Sequence, residues 1–457
     1  MYFETDPTAL FGEDKGAAIP IHAVTEDGLE KVEAKTLAWS KATGFAGKTG
    51  QHCLVPGDDG IAQVLFGLGS GQGEGKDFAH AKLARSLPSG TYELGDGFEG
   101  NESARLAWAM GGYDFTRYSK GRTQKPVLAD ALSRRERIVA QGVFMARDLI
   151  NTPANDMGPD ALEAAFRKLG ETHGAEIRSI IGDDLLRQNF PMVHAVGRAC
   201  TIPPRVLDLR WGSENAPKIT LVGKGVTFDT GGLNIKPGGS MALMKKDMGG
   251  AANVMALAHM IMASGMDVRL RLIVGAVENS IAGNAFRPGD ILQTRKGITV
   301  EIGNTDAEGR LVLGDCLAWA DEESPDVLLD MATLTGAARV ALGPELAPFY
   351  THDDAFADEV AKAAQKVNDP VWRMPLWAPY QSMLKSSVAD VNHISTGGFA
   401  GSITAALFLD RFVENASCWG HFDIYGWVPK EKPWAAVGGE ALAIRALYDG
   451  LSNRYSS

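Results

Sequence analysis

Cysteine and histidine are scarce in this chain, with four and nine in 457 residues. Cys53, Cys200, Cys316 and Cys418 are scattered and offer no C-x-x-C spacing, so neither a redox pair nor a thiolate metal knot is expected. They read as buried thiols of a reducing cytoplasm, and none is placed as a nucleophile. Positive charge is also short. Lys+Arg number 45 against 56 Asp+Glu, for a formal net charge of −11, which argues against a phosphate backbone as the main partner. The small basic cluster Lys120-Gly121-Arg122-Thr123-Gln124-Lys125 reads as a solvated linker. Long apolar runs are missing: the stretch around Val254 to Met266 is too short and too interrupted to span a bilayer. Met1-Tyr2-Phe3-Glu4-Thr5-Asp6 lacks the basic start and apolar core of a secretory signal. There is no internal repeat and no low-complexity segment.

What is present is the composition of an ordinary globular protein, 45% hydrophobic and 22% charged, at a length that favours two domains. A boundary falls near Pro126. Residues 1–125 mix short strands and helices with many glycines, for example Ala62-Gln63-Val64-Leu65-Phe66, and read as an N-terminal α/β domain. Leu128, Leu132, Val139, Val143, Ala146 and Ile150 keep a three-to-four spacing that predicts one long linker helix over 126–150, stopped by Asn151-Thr152-Pro153. In residues 151–457, strand candidates at Val206–Trp211, Lys218–Val222, Leu270–Val277 and Val327–Met331 alternate with helices at Ala251–Met262 and Leu311–Ala320. Such alternation predicts a C-terminal α/β domain with a mostly parallel sheet flanked by helices.

The chemistry concentrates in Asn304-Thr305-Asp306-Ala307-Glu308-Gly309-Arg310-Leu311. Two carboxylates and a guanidinium stand at i, i+2 and i+4, which in an extended segment points all three to one side. Like charges aimed at one point repel unless a cation sits between them, and a divalent metal is the simplest one. A structural reading competes: Thr305 and Glu308 fit a Thr-x-x-Glu capping box, although that leaves Asp306 and Arg310 without a role. Upstream, the strand Lys218-Ile219-Thr220-Leu221-Val222-Gly223 delivers Lys224. Asp229 follows at the turn Asp229-Thr230-Gly231-Gly232, then Lys236 and Asp247. Carboxyl ends of strands beside glycine-rich turns are where parallel α/β sheets hold ligands. Asp229 is equally suited to an Asx-turn and Asp247 to a helix cap. Gly223-Lys224-Gly225 and Gly69-Ser70-Gly71-Gln72-Gly73-Glu74-Gly75-Lys76 lack the full phosphate-loop pattern and read as other than nucleotide sites.

The segments Gly223 to Leu233, Met244 to Ala252 and Asn304 to Leu311 together resemble the leucyl aminopeptidase family of metallopeptidases, as do Asn151-Thr152-Pro153-Ala154-Asn155 and Thr333-Leu334-Thr335-Gly336-Ala337. The resemblance runs from about residue 150 to about 430. It implies Lys224, Asp229, Asp247, Asp306 and Glu308 as ligands of two divalent ions, with Asp229 and Glu308 bridging. Oxygen-rich ligation admits zinc, manganese, magnesium or cobalt, and no histidine falls in these segments. Lys224 ligates only as a neutral amine, which burial and a neighbouring dication favour. The resemblance further implies that Lys236 stabilises the developing oxyanion. It implies as well that Arg310 holds a bicarbonate to accept the proton of the attacking water, which bridging two metals would make acidic. Met244, Thr333, Leu334 and Gly336 are similar to the family's side-chain pocket, and Tyr425 is a departure where relatives often carry a small residue. The implied activity is hydrolysis of the N-terminal peptide bond of peptides with a free α-amino group, in the cytoplasm, by a homohexamer. A different two-metal amide or dipeptide hydrolase, or a secondary DNA-binding regulatory role, are the competing readings.

Overall fold

In the computed structural model, residues 6–12, 18–71, 76–119, 121 and 124–455 are described. The N-terminal signal reading at Met1–Thr5, part of the glycine-rich segment at 72–75 and part of the basic cluster at 120–125 lie outside them. The chain divides into two compact units. One takes the chain up to Phe144 together with Val428–Gly438, and the other takes Met145–Trp427 and the chain from Gly439 onward.

The first unit is built on strands β1 (Ile19–Val24), β2 (His52–Gly57), β3 (Gly60–Gly67), β4 (Gly90–Leu94) and β5 (Pro126–Leu128). Their order is β2-β3-β1-β4-β5, with only the β2–β3 hairpin antiparallel. Val64, Phe66, Tyr92 and Trp108 are wholly buried in it. The apolar spacing after Pro126 therefore covers two elements rather than one helix. Leu128 ends β5, and the helix begins at Arg134 and runs to Asn151. Ser133 explains the break: its Oγ accepts from Glu136 N at 3.2 Å and its N donates to Glu136 Oε2 at 2.8 Å, a reciprocal cap that starts the helix there.

The second unit carries an eight-stranded sheet. Its strands are β6 (Glu176–Ile181), β7 (Arg205–Trp211), β8 (Lys218–Asp229), β9 (Arg269–Asn279), β12 (Val327–Ala332), β13 (Ala347–Tyr350), β14 (Val371–Arg373) and β16 (Trp419–Asp423). A small sheet of β10 (Ile291–Gln293), β11 (Thr299–Glu301) and β15 (Val391–Asn392) lies apart from it. The large sheet runs β14-β13-β16-β12-β8-β9-β7-β6, and its middle four strands are mutually parallel. Direction reverses at β7 and at β13. Thus β7 is antiparallel to β9, within the mostly parallel sheet that was expected.

Helices cover both faces of this sheet. A Cβ on Gly223 of β8 would meet Ala251 and Val254 of the helix Gly249–Ser264, whereas one on Gly275 of β9 would meet Val312 and Cys316 of the helix Gly309–Asp321. Gly223 pairs with Val274, so Gly275 is one step out of phase and faces the other way. The helix Gly249–Ser264 is buried from Gly249 through Met262, which is why its sequence is apolar all round rather than striped. It ends at Gly265, at φ +74°. Among the described residues, no helix is long and apolar enough to cross a membrane.

Candidate active site

Strand β8 carries two of the candidate residues. Lys224 and Asp229 are five positions apart, which in an unbroken strand would put them on opposite faces. Val226 pairs with Val277 and Asp229 with Asn279, so β8 holds one residue more than β9 across that interval. This bulge restores a common face. The chain then turns at Gly231 and Gly232, at φ +86° and +61°. Gly231 N donates to Asp229 Oδ1 at 2.8 Å, so Asp229 does form the Asx-turn. Its other oxygen, Oδ2, lies 2.8 Å from Lys236 Nζ. The structural and the chemical reading each take one oxygen.

Asp247 sits in the 3-10 turn Met244–Met248, and the helix after it has Met248 as N-cap with no side-chain cap bond. Asp247 therefore does not cap. Its Oδ1 accepts from Thr333 Oγ1 at 2.8 Å, and its Oδ2 lies 2.8 Å from Lys224 Nζ. Thr333 follows β12, so the carboxyl ends of neighbouring parallel strands converge here.

The segment around Asp306 is not extended as expected. Ala307 N donates to Asn304 O at 3.1 Å in a turn, and the helix starts at Gly309. The capping box is absent as well. Glu308 is the N-cap residue without a side-chain cap bond, and Thr305 Oγ1 donates instead to Gly231 O at 2.6 Å and accepts from Asn234 N at 2.8 Å. Asp306 and Glu308 meet Asp229, with one carboxylate oxygen of each within 4.8 Å of the others. Arg310 does not join this cluster. Its Nη1 donates to His393 O at 2.8 Å, it is not among the residues lining the cavity below, and burial pulls its guanidinium down to about 10. The alternating-face argument for Asp306, Glu308 and Arg310 fails because a turn replaces the strand.

Two ammonium groups thread the carboxylates. Lys224 Nζ lies 2.8 Å from Asp247 Oδ2 and 3.0 Å from Glu308 Oε1, and it donates to Thr333 O at 3.0 Å. Lys236 Nζ lies 2.8 Å from Asp229 Oδ2 and 2.6 Å from Asp306 Oδ1. Burial opposes both charges, but the surrounding carboxylates outweigh it and raise both lysines. Burial, then the Asp229 charge, pushes the Glu308 carboxyl well above its ordinary range. Asp229 is raised for the same kind of reason, by burial and by Asp247. Asp247 is also buried, yet Lys224 and Lys246 hold it below. Two acids driven up beside two lysines driven up describe a site short of positive charge.

The donor set suits hard divalent cations. Glu308 Oε1, Asp306 Oδ1 and Asp247 Oδ2 are met by lysine ammonium groups, while Glu308 Oε2 is buried without a hydrogen bond, a cost that an oxygen-seeking metal ion removes. Asn279, not anticipated from sequence, orients the cluster by donating Nδ2 to Asp229 Oδ1 at 2.8 Å and to Thr305 O at 3.0 Å. An amide closing the strand after its apolar run Leu272–Val277 was its only signal. Asp423 was equally unmarked, and it accepts from Leu334 N and Thr335 N, each at 3.0 Å, shaping the loop after β12.

A cavity of roughly 570 Å³ opens on the cluster. Met244, Thr333, Leu334, Gly336 and Tyr425 all line it, together with Lys246. Burial pushes the Lys246 ammonium down to about 8. The cysteines stay inert: no disulfide forms among the described residues, and burial raises the thiols of Cys316 and Cys418, the latter to about 12. Gly223, Lys224 and Gly225 lie inside β8, so no phosphate loop exists there.

Fold and site define a class, α/β proteins with a buried acidic cluster at the carboxyl ends of parallel strands. Residues 144–448 match the family model described as "Cytosol aminopeptidase family, catalytic domain", and residues 19–129 match "M17 aminopeptidase, N-terminal domain". The chain belongs to the cytosol aminopeptidase family. It is 42% identical to the probable cytosol aminopeptidase of Roseiflexus castenholzii over 68% of this chain, and it spans 65% of that relative's length. The crystal structure of cytosol aminopeptidase from Coxiella burnetii is similar at a TM-score of 0.92 and 44% identity, covering 97% of this chain and 98% of that one. The bottromycin maturation enzyme BotP, in a complex with Mn, is similar at 0.86 and 32%, covering 96% and 99%.

Proposed function

We propose that this protein is a metal-dependent aminopeptidase that hydrolyses the N-terminal peptide bond of peptides with a free α-amino group. The observation that carries the reading is the meeting of buried Asp229 and Glu308 with half-buried Asp306, and with Asp247 and Lys224 beside them, at the wall of a substrate-sized cavity. In this reading those five residues hold two divalent ions, zinc or manganese in first place and magnesium or cobalt as alternatives. Bound there, such ions polarise the scissile carbonyl and make water acidic enough to attack at neutral pH.

The remaining steps belong to the chain. Lys236 stands at the cavity wall with its ammonium anchored by Asp229 and Asp306, and it donates to the oxygen on which charge develops. A preorganised donor of this kind contributes about 3 kcal/mol. Arg310 makes no direct contact with the cluster but feels the Glu308 charge, and in this reading it holds a bicarbonate that acts as proton acceptor. Thr333 fixes the Asp247 carboxylate through its hydroxyl. Met244, Leu334, Gly336 and Tyr425 bound the space for the substrate's first residues. Residues 151–457 are the catalytic part in this account, with an N-terminal domain that includes β5, and with the helix Arg134–Asn151 as the linker. A cytoplasmic homohexamer is the assembly that goes with it.

The test is a panel of aminoacyl amides and their N-acetylated counterparts, incubated with metal-free and with Mn- or Zn-loaded protein. Release that requires metal and vanishes on acetylation is the expected result. Cleavage of blocked substrates, or no release from any member, overturns the proposal.

A further inference from the structure

The cavity presents two kinds of cation. Lys224 and Lys236 are paired with carboxylates at 3.0 Å or less. Lys246 and Arg339, which line the same cavity, are not: among the described residues no carboxylate lies within ion-pair distance of either. Both instead gather at one aromatic ring. Lys246 Nζ lies 4.6 Å from the centroid of Tyr425, and the Arg339 guanidinium carbon lies 5.1 Å from it. The ring's negative face draws in two like charges that otherwise repel. Lys246 is 4% exposed, and a lysine that buried without an acid partner is uncommon. Arg339 projects from the helix Gly336–Leu342, whose first residue is itself a cavity wall.

We propose that Lys246 and Arg339, set against Tyr425, select substrates whose N-terminal residue carries an acidic side chain, Asp or Glu. The inference rests on the aminopeptidase reading above and deepens it. Lys246 lines the same cavity as Asp229, Asp247 and Asp306 and feels the Asp247 charge, so a substrate whose α-amino group docks at the acidic cluster carries its first side chain towards this ammonium. A carboxylate delivered there is charge-neutralising, and Arg339 offers it a planar pair of donors. A basic side chain in that position meets like charge, and a neutral amide leaves the cations unsatisfied.

The test compares kcat/KM of the Mn-loaded full chain on Glu-, Gln-, Leu- and Lys-arylamides, which carry no other carboxylate. The expected order places Glu above Gln by about tenfold or more, with Lys poorest, since a hydrogen-bonded charge is worth at least that factor. Arg339→Gln and Lys246→Met each lower the Glu/Gln ratio towards one, and Arg339→Lys restores part of it. The ratio within one variant cancels any loss of folded protein. Calorimetric titration is expected to give tighter binding of L-glutamate than of L-glutamine. Equal rates on Glu and Gln with brisk release from Leu overturn this inference and leave the aminopeptidase reading standing. A preference confined to dipeptides, Leu-Glu over Leu-Gln, assigns the cations to the far end of the substrate and overturns it too. No metal-dependent release from any arylamide removes both.

Discussion

Lys224 Nζ and Asp247 Oδ2 stand 2.8 Å apart, an ion pair that is almost wholly buried on both sides. Breaking a buried pair by changing one partner leaves a bare charge, and the geometry of the survivor matters as much as its sign. Lys224→Arg keeps the charge but brings a planar group without a lone pair into a slot also bounded by Glu308 and the Thr333 carbonyl. The expected outcome is a loss of about a hundredfold or more in kcat/KM and a lower metal content by elemental analysis. Full activity with full metal content would remove Lys224 from the ligand set.

Metal occupancy should be visible in stability without any substrate. Glu308 is wholly buried beside Asp229, and its Oε2 has no hydrogen bond, so a bound dication removes a standing electrostatic cost. Titrating Mn into chelator-treated protein is expected to raise Tm in a concentration-dependent way, by about 2.7 kcal/mol of stability at a hundredfold excess over Kd. Glu308→Gln should start from a Tm no lower than the metal-free parent and respond far less to Mn. An equal Mn response in the variant would place the ions elsewhere.

Gly309 tests packing at the site separately from its charge. A Cβ there would lie 2.4 Å from Lys224 Cε and 2.7 Å from its Nζ, closer than heavy atoms tolerate. Alanine is otherwise favoured over glycine in a helix by up to about 1 kcal/mol. Gly309→Ala is therefore expected to shift Tm by only a few degrees while lowering kcat/KM by about tenfold or more, because the displaced group is the Lys224 ammonium. A variant with parental activity would show that Lys224 has freedom the present geometry denies it.

A pH effect on stability follows from His421 and Asp330. His421 Nδ1 lies 2.6 Å from Asp330 Oδ1 at zero exposure, and Trp419 Nε1 donates to the other carboxylate oxygen at 2.9 Å. Burial opposes a charged imidazole, but Asp330 outweighs it and raises His421 above its ordinary 6.5. A folded pKa above the unfolded one means stabilisation that is fully present below about pH 6.5 and lost as pH climbs through the raised value. The Tm gap between the parent and His421→Gln should be widest near pH 6 and narrow steadily towards pH 9. A gap that widens with pH reverses the sign and refutes the charged pair.

In the sequence, the paired acids marked Asp306 and Glu308, whereas Lys224, Asp229, Lys236 and Asp247 were marked by the resemblance of their segments to a known family. Composition and apolar periodicity were enough to read an α/β chain in two parts, because both are local properties of the chain. Strand and helix cores were legible for the same reason. Their ends were not: Ser133 and Glu136 set where a helix begins by a bond that periodicity does not register. Convergence was decided only in three dimensions. The extra residue between Val226 and Asp229 turns Asp229 to the side of Lys224, and the turn at Asn304 sets Asp306 and Glu308 together while Arg310 goes to His393. Asn279 and Asp423, the last residues of their strands, acquire their roles from neighbours far along the chain, and Lys246 and Arg339 are brought to one place by the ring of Tyr425. Side-chain chemistry is written residue by residue, but which side chains face one another depends on register, bulges and packing, which long-range contacts alone determine.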